Sequence, residues 1–230
     1  MSERTSITID VISDVACPWC FLGMKRLEHA VELASDVDVQ IRWRPYQLDP
    51  SIPKEGLPRR KYMLDKFGDE SRLTAAHERL TMLGEVEGIR FNFDAMQVSA
   101  NTLDAHRLIR WGGSPKSPPG AQAQVVKRLF EMNFEEARDI GARDVLTEAA
   151  ADAGMDANLV EALLSSHADV ESLQNEIAAA SQMGVTGVPC FLLEGKYAVM
   201  GAQEAEVLAD AIKQVAAAKE RGELDQPQAN

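Results

Sequence analysis

Cys17-Pro18-Trp19-Cys20 sets two thiols two residues apart, a spacing at which one sulfur can attack a disulfide formed on the other. The segment before it, Ile7 to Ile12, alternates and is β-branched, the pattern of a strand. The segment after it, Phe21 to Leu33, brings Phe21, Leu22, Met24, Leu27, Ala30, Val31 and Leu33 near one helical face. A helix that begins at the cysteines aims its unpaired N–H groups and its dipole at Cys17, and both favour a thiolate over a thiol. Pro18 suits the first helical turn. Cys20 lies one turn further in, within reach of a mixed disulfide on Cys17. The pattern predicts thiol–disulfide exchange.

The competing use of such a pair is half of a structural zinc site, which requires four ligands. The third thiol is Cys190, and His29, His77, His106 and His167 are scattered singly along the chain. No metal is therefore assigned. Cys190 directly follows Pro189 and is expected to be a buried strand residue acting as a small hydrophobe. The alternative is a side chain turned toward Cys17, which would make it a third exchange partner.

The elements that must hold this pair follow from the rest of the chain. With 230 residues and a hydrophobic content of 45%, there is material for one large domain, or for a domain with a sizeable insertion. The apolar runs fall short of membrane-spanning length. Met1 to Thr5 lead into a strand without the apolar core of a signal peptide, so a cytoplasmic location is expected, where disulfides are transient. A net charge of −12 argues against nucleic acid and anionic membranes as partners.

The first unit reads strand (about 6–12), helix (about 18–34), strand (about 38–45). In the second strand Val37, Val39, Ile41 and Trp43 share one face, and Asp38, Gln40 and Arg42 the other. Prolines 45, 50, 53 and 58 with Gly56 then make a loop. Helical patterns follow at 59–67, 70–87, 101–111, 121–135, 143–153, 157–166 and 169–183, with Gly184 as a stop signal. Strand character returns at 190–194 and 197–200, and a last helix spans about 203–218. An α/β thioredoxin fold, βαβ plus ββα, with a large all-helical insertion is the predicted class. Its expected parts are residues 1–46 and 184–219 as a discontinuous thioredoxin-like domain, 47–183 as the helical insertion with its entry loop, and 220–230 as a polar tail that frays.

Gly184-Val185-Thr186-Gly187-Val188-Pro189 leads into the third strand. Proline at a strand start after a Gly-rich turn admits a cis bond, and an enzyme of this fold places such a proline opposite its cysteine pair. The backbone of Val188 could there pair with an extended substrate segment.

Several stretches together resemble the DsbA-like oxidoreductases of the FrnE branch. They are Ser13-Asp14-Val15-Ala16 with the cysteine motif, Arg42-Trp43-Arg44-Pro45-Tyr46-Gln47-Leu48, Asn101-Thr102-Leu103-Asp104-Ala105-His106-Arg107, Thr186-Gly187-Val188-Pro189, and Tyr197-Ala198-Val199-Met200-Gly201-Ala202-Gln203. The resemblance implies Cys17 as nucleophile, Cys20 as resolving thiol, a cis Val188–Pro189 bond, and Asn101 near the cleft between insertion and core, where its competing role is a helix cap. The related 2-hydroxychromene-2-carboxylate isomerases and kappa-class glutathione transferases typically carry serine where this chain has Cys17. They also tend to carry Gly-x-Asp-Arg where this chain has Gly201-Ala202-Gln203-Glu204.

Around the pair, Pro18 and Trp19 are expected at the substrate surface. Trp19 has two open roles, as an apolar platform or as packing beneath the insertion. Asp14 is expected to cap the loop or first turn, with a proton relay to Cys20 as its alternative role. His106 reads as a helix-packing residue. The expected function is a cytosolic thiol–disulfide oxidoreductase or isomerase acting on protein or small-molecule disulfides and recycled by a cellular thiol reductant. It needs no cofactor beyond the Cys17–Cys20 pair, with glutathione a candidate co-substrate, and either a monomer or a homodimer is compatible with the sequence. The alternatives are a glutathione-dependent isomerase or transferase, and a non-catalytic binding protein.

Overall fold

The computed structural model describes residues 4–182 and 184–225. In chain order it contains β1 (Ser6–Ser13), α1 (Pro18–Leu33), β2 (Asp38–Pro45), β3 (Leu57–Pro58), α2 (Arg59–Phe67), α3 (Glu70–Val86), β4 (Val98–Ser99), α4 (Leu103–Gly112) and α5 (Ala121–Phe134). There follow α6 (Arg143–Asp152), α7 (Ala157–Leu164), α8 (Val170–Gln182), β5 (Cys190–Leu193), β6 (Tyr197–Met200) and α9 (Ala205–Glu220).

Strand alternation sorts β1 into two faces. Ile7, Ile9 and Val11 enter the main core, while Ile12 joins a second, smaller cluster with Cys190 and Ala180. The strand pairs in parallel with β2, Ile9 opposite Ile41, and antiparallel with β5, Val11 opposite Phe191. With β6 the sheet order is β2-β1-β5-β6. α1 and α9 pack together over the main-core face, and α8 covers β2 on the other. A parallel βαβ unit joined to an antiparallel ββα unit, with helices between them, is the thioredoxin fold with a helical insertion. On the α8 face, Asp10 accepts two hydrogen bonds from Arg42 (2.9 and 2.8 Å) and one from Arg44 (2.7 Å).

α1 is fixed along its length by the elements around it. Phe21 stacks on Phe130 of α5 with centroids 5.2 Å apart, and meets Phe91 edge-on at 6.0 Å. Arg26 is 4% exposed. It donates to Glu87 at the end of α3 (2.9 Å) and to the carbonyl of Ala202 (2.8 Å), and it pairs with Glu204 (2.9 Å). Burying an apolar side chain such as Phe21 contributes about 1.5–3 kcal/mol.

Two parts depart from the sequence expectation. The chain around 87–100, read only as a connection, contains a 3₁₀ turn at Phe93–Ala95 and the strand β4, which pairs with β3 in a two-stranded ribbon. The segment after Glu220 does not fray at once. Residues 223–225 make a 3₁₀ turn that buries Leu224, whose carbonyl accepts from the Lys196 ammonium. A lone leucine after a polar stretch gave no periodic signal. The rest of the expected tail, 226–230, lies outside the described residues.

Candidate active site

Cys17 is the N-cap of α1, with extended backbone (φ −97°, ψ 114°), and Pro18 opens the first turn. Its N–H donates to the carbonyl of Asp14 (2.9 Å), which closes the loop between β1 and α1. Its side chain makes no capping bond. Instead the thiol donates to the carbonyl of Val188 at 3.8 Å. Cys20 follows one turn later, and its N–H donates to the carbonyl of Cys17 (3.0 Å). Both cysteines are free thiols, 4% and 1% exposed.

The Cys20 thiol is held well above the ordinary thiol range. Burial is the first cause, followed by a hydrogen bond with Cys17 and the charge Cys17 can carry. The Ser13 hydroxyl and the backbone at Asp14 oppose the shift. Cys20 therefore remains protonated at neutral pH.

The peptide bond between Val188 and Pro189 is cis. Pro189 is packed against α1 at Gly23, where a Cβ would come within 2.9 Å of the proline Cγ. Its carbonyl accepts from the N–H of Gly201 (2.8 Å).

Asp14 is 1% exposed, and its carboxylate joins three segments. Oδ1 accepts from the N–H of Ala16 (3.1 Å) and Oδ2 from the N–H of Leu48 (2.8 Å). His106 Nε2 stands 3.5 Å from Oδ1. These contacts tie the cysteine loop to the proline-rich loop after β2, the loop-closing role expected of Asp14.

A cavity of about 360 Å³ opens beside the pair. Cys17, Pro18, Trp19, Val188 and Asp14 line it, together with α2 and parts of α3 and the β3–β4 ribbon. Of the two roles left open for Trp19, the structure shows the packing one, at a position that also borders the cavity. It lines the cavity, and it packs beneath the insertion with the Arg79 guanidinium of α3 5.6 Å from its ring centre.

Asn101 borders the cavity without lining it. Its amide donates to the carbonyl of Ile52 (2.6 Å), and its oxygen accepts from the N–H of Leu103 (2.9 Å) at the start of α4. That is the capping role, reached from one position before the helix boundary. Cys190 lies on the α8 face of β5, whereas its neighbour Phe191 faces Gly23 and α1, so strand alternation turns its thiol away from Cys17.

Several cavity residues escaped the sequence reading. Asn133 of α5 is buried and donates to the carbonyl of Val15 (3.0 Å), anchoring the cysteine loop to the insertion. Arg59, Tyr62 and His77 also line the cavity. The signal for Arg59 and Tyr62 was present in their helical spacing, 59, 62, 63, 66 and 67. For His77 and Asn133 no local signal exists. Among the described residues, no group of three or more His, Cys, Asp or Glu side chains is placed to hold a metal ion. Among the same residues no helix is long and apolar enough to cross a membrane.

The model of the family described as DSBA-like thioredoxin domain matches residues 8–213. YwbO of Bacillus subtilis (strain 168), described as uncharacterised, is 26% identical over 208 residues, 90% of this chain and 96% of that protein. The crystal structure of SCO1869 from Streptomyces coelicolor, a probable DsbA oxidoreductase, superposes with a TM-score of 0.81 at 29% identity, covering 97% of this chain and 93% of that one. The cytosolic disulfide reductase DsbM of Pseudomonas aeruginosa, in its structure with GSH, shares the fold at a TM-score of 0.63 and 18% identity, over 93% and 99% of the two chains.

Proposed function

The chain belongs to the DSBA-like thioredoxin domain family, and from that premise we propose that it is a cytosolic thiol–disulfide oxidoreductase working through Cys17 and Cys20. The observation that carries this reading is the placement of Cys17 at the N-cap of α1 with Cys20 one turn behind it, both as thiols.

The Cys17 thiolate attacks one sulfur of a substrate disulfide. A Cys17–substrate disulfide forms, and the other half of the substrate leaves as a thiolate. Cys20 then loses its proton and attacks the Cys17 sulfur. The Cys17–Cys20 disulfide forms, and the second half leaves. The substrate has gained two electrons and the enzyme has lost them, so an external thiol must reduce the pair again. Glutathione is the reductant to test first, since DsbM, which shares this fold, has a structure with GSH. Val188 and Pro189 frame the reacting sulfur from the opposite side, and Pro18 and Trp19 form the near wall.

The test is a redox titration of the pair in glutathione buffers, read by alkylation and mass. A reversible two-electron couple between roughly −180 and −270 mV, the span of known exchange enzymes, is expected. In Cys20→Ala a mixed disulfide on Cys17 should accumulate. Absence of any reversible Cys17–Cys20 couple would sink the mechanism.

A further inference from the structure

The apolar stripe of α2 is only partly covered and opens onto the cavity. Arg59, Tyr62, Met63, Lys66 and Phe67, at i, i+3, i+4, i+7 and i+8, form one helical face. All five line the cavity beside Cys17, and no residue of α2 is buried. Ile52, Leu80 and Phe93 supply further apolar wall. The packing of α2 is thus incomplete without an occupant.

Arg59 stands out in this lining. It is half-buried, and its guanidinium has neither a hydrogen bond nor an ion pair with any described residue. The two carboxylates of the lining are engaged elsewhere. Asp14 holds the N–H groups of Ala16 and Leu48, and Asp49 holds Ser51 and the Tyr62 hydroxyl (3.0 Å). Burial pushes Arg59 down to about 10, which leaves it cationic at neutral pH. His77, stacked on Phe93 at 4.1 Å, is pushed down by burial and by Arg59 and is neutral there. A half-buried cation without a partner has room for an anionic one, and the space before Arg59 is the cavity.

The reacting sulfur gives a second, independent indication. Cys17 is 4% exposed and forms part of the cavity wall. A small molecule that enters the cavity can reach it.

We propose that this cavity binds a small organic carboxylate, with its apolar body against α2, Leu80 and Phe93 and its carboxylate on Arg59. Resting on the exchange reading above, the substrates of Cys17 are then small acidic thiols and disulfides. The volume lies within the range of small-ligand pockets, about 300–1,000 Å³.

Two measurements separate this site from the chemistry it serves. Calorimetry with 1-naphthoate and its neutral isostere 1-naphthamide reads the site without any thiol reaction. The carboxylate should bind about ten- to a hundred-fold more tightly, the range for one charged hydrogen bond. Arg59→Gln should abolish that preference, and Arg59→Lys should keep part of it. Equal affinities, no binding, or a preference that survives Arg59→Gln overturns the proposal, and the wild-type comparison requires no variant to fold. The second measurement follows reaction of Cys17 with 5,5′-dithiobis(2-nitrobenzoate), which carries carboxylates, and with neutral 2,2′-dithiodipyridine, using Cys17→Ser as the blank. Arg59→Gln should slow the first about tenfold and leave the second unchanged. If naphthoate is preferred but neither disulfide reacts, the exchange reading falls and the carboxylate site stands. If both disulfides react equally well in wild type and Arg59→Gln, and naphthoate does not bind, the site falls and the exchange reading stands.

Discussion

Gly23 tests how tightly the active-site helix is set against Pro189. A Cβ at this position would lie 2.9 Å from Pro189 Cγ, 3.2 Å from Phe191 Cζ and 3.4 Å from Pro189 Cβ. Unstrained carbon contacts are about 3.5–4.0 Å. Neither ring can swing clear, because Pro189 is held through its carbonyl by Gly201 and Phe191 is fully buried. Gly23→Ala gains about 0.8–1 kcal/mol of helix propensity. Overpacking of this kind costs typically about 1–3 kcal/mol. The difference is a net loss of about 1 kcal/mol, and for a slope of about 3 kcal/mol/M the urea midpoint should fall by roughly 0.3 M. Gly23→Val, with two further methyls, should fall further. Because the Val188 carbonyl is 3.8 Å from the Cys17 sulfur, a displaced Pro189 should also change the rate at which iodoacetamide alkylates Cys17. A Gly23→Ala chain more stable than wild type, with an unchanged alkylation rate, would mean that only helix propensity is felt at this site. The close α1–Pro189 packing would then be refuted.

Other expectations come from the contacts around the pair. Since burial, the largest cause of the raised Cys20 thiol, does not depend on Cys17, resolution of a Cys17 mixed disulfide should accelerate with pH, by about tenfold per unit while Cys20 stays mostly protonated; a flat profile between pH 7 and 9 in a quench-flow experiment would contradict this. The same shift carries a stability sign. As pH rises through the ordinary thiol range the unfolded chain loses its Cys20 proton first, so the reduced protein should lose stability there, and Cys20→Ala should reduce that slope in urea titrations, leaving the part due to Cys190, whose thiol burial also pushes up. Asn133→Leu leaves the carbonyl of Val15 without its donor, and thermal unfolding should register a loss of about 1–3 kcal/mol. Arg107, 1% exposed, donates to the carbonyls of Leu163, Ser166 and Ala168 and to Asp104. Arg107→Met should cost about 3–5 kcal/mol by chemical denaturation, since it strips a buried partner from Asp104 and from the end of α7.

The secondary structure and the cysteine pair were legible in the sequence because both are local. Alternation in 6–13 and 38–45 and the apolar stripe of 18–33 needed no knowledge of what lay opposite. The ribbon of Leu57–Pro58 with Val98–Ser99 could not be read that way, because two-residue strands carry no period and their pairing spans about forty residues of chain. The cavity was missed for a related reason. The stripe of α2 reads as an ordinary buried face, and only its partial cover makes it a wall of the cavity. Asn133 looked like a polar interruption in the run Val125–Phe134, and its purpose is set by the carbonyl of Val15, more than a hundred positions away. Asn101 meets both readings: it bonds the N–H of Leu103 at the helix start, and its neighbours Ala100 and Thr102 and its partner Ile52 line the cavity.

In the proposed exchange, burial holds the Cys20 proton in place before any substrate arrives. Of the causes that keep Cys20 protonated, burial is permanent, but the hydrogen bond and the charge both belong to Cys17. A mixed disulfide on Cys17 has neither a thiol proton to share nor a thiolate charge, so those two causes vanish when it forms. Ser13 and the Asp14 backbone, which favour the Cys20 thiolate, then act against burial alone. The arrangement depends on keeping the β1–α1 loop fixed while Cys17 changes its bonding. Asp14 binds that loop to Leu48, and Asn133 binds it to α5. Phe21 stacks on Phe130 one residue beyond Cys20. The helical segment is in this respect a structural part of the thiol site as well as its cover, and loosening any of these three ties should slow resolution more than the first attack.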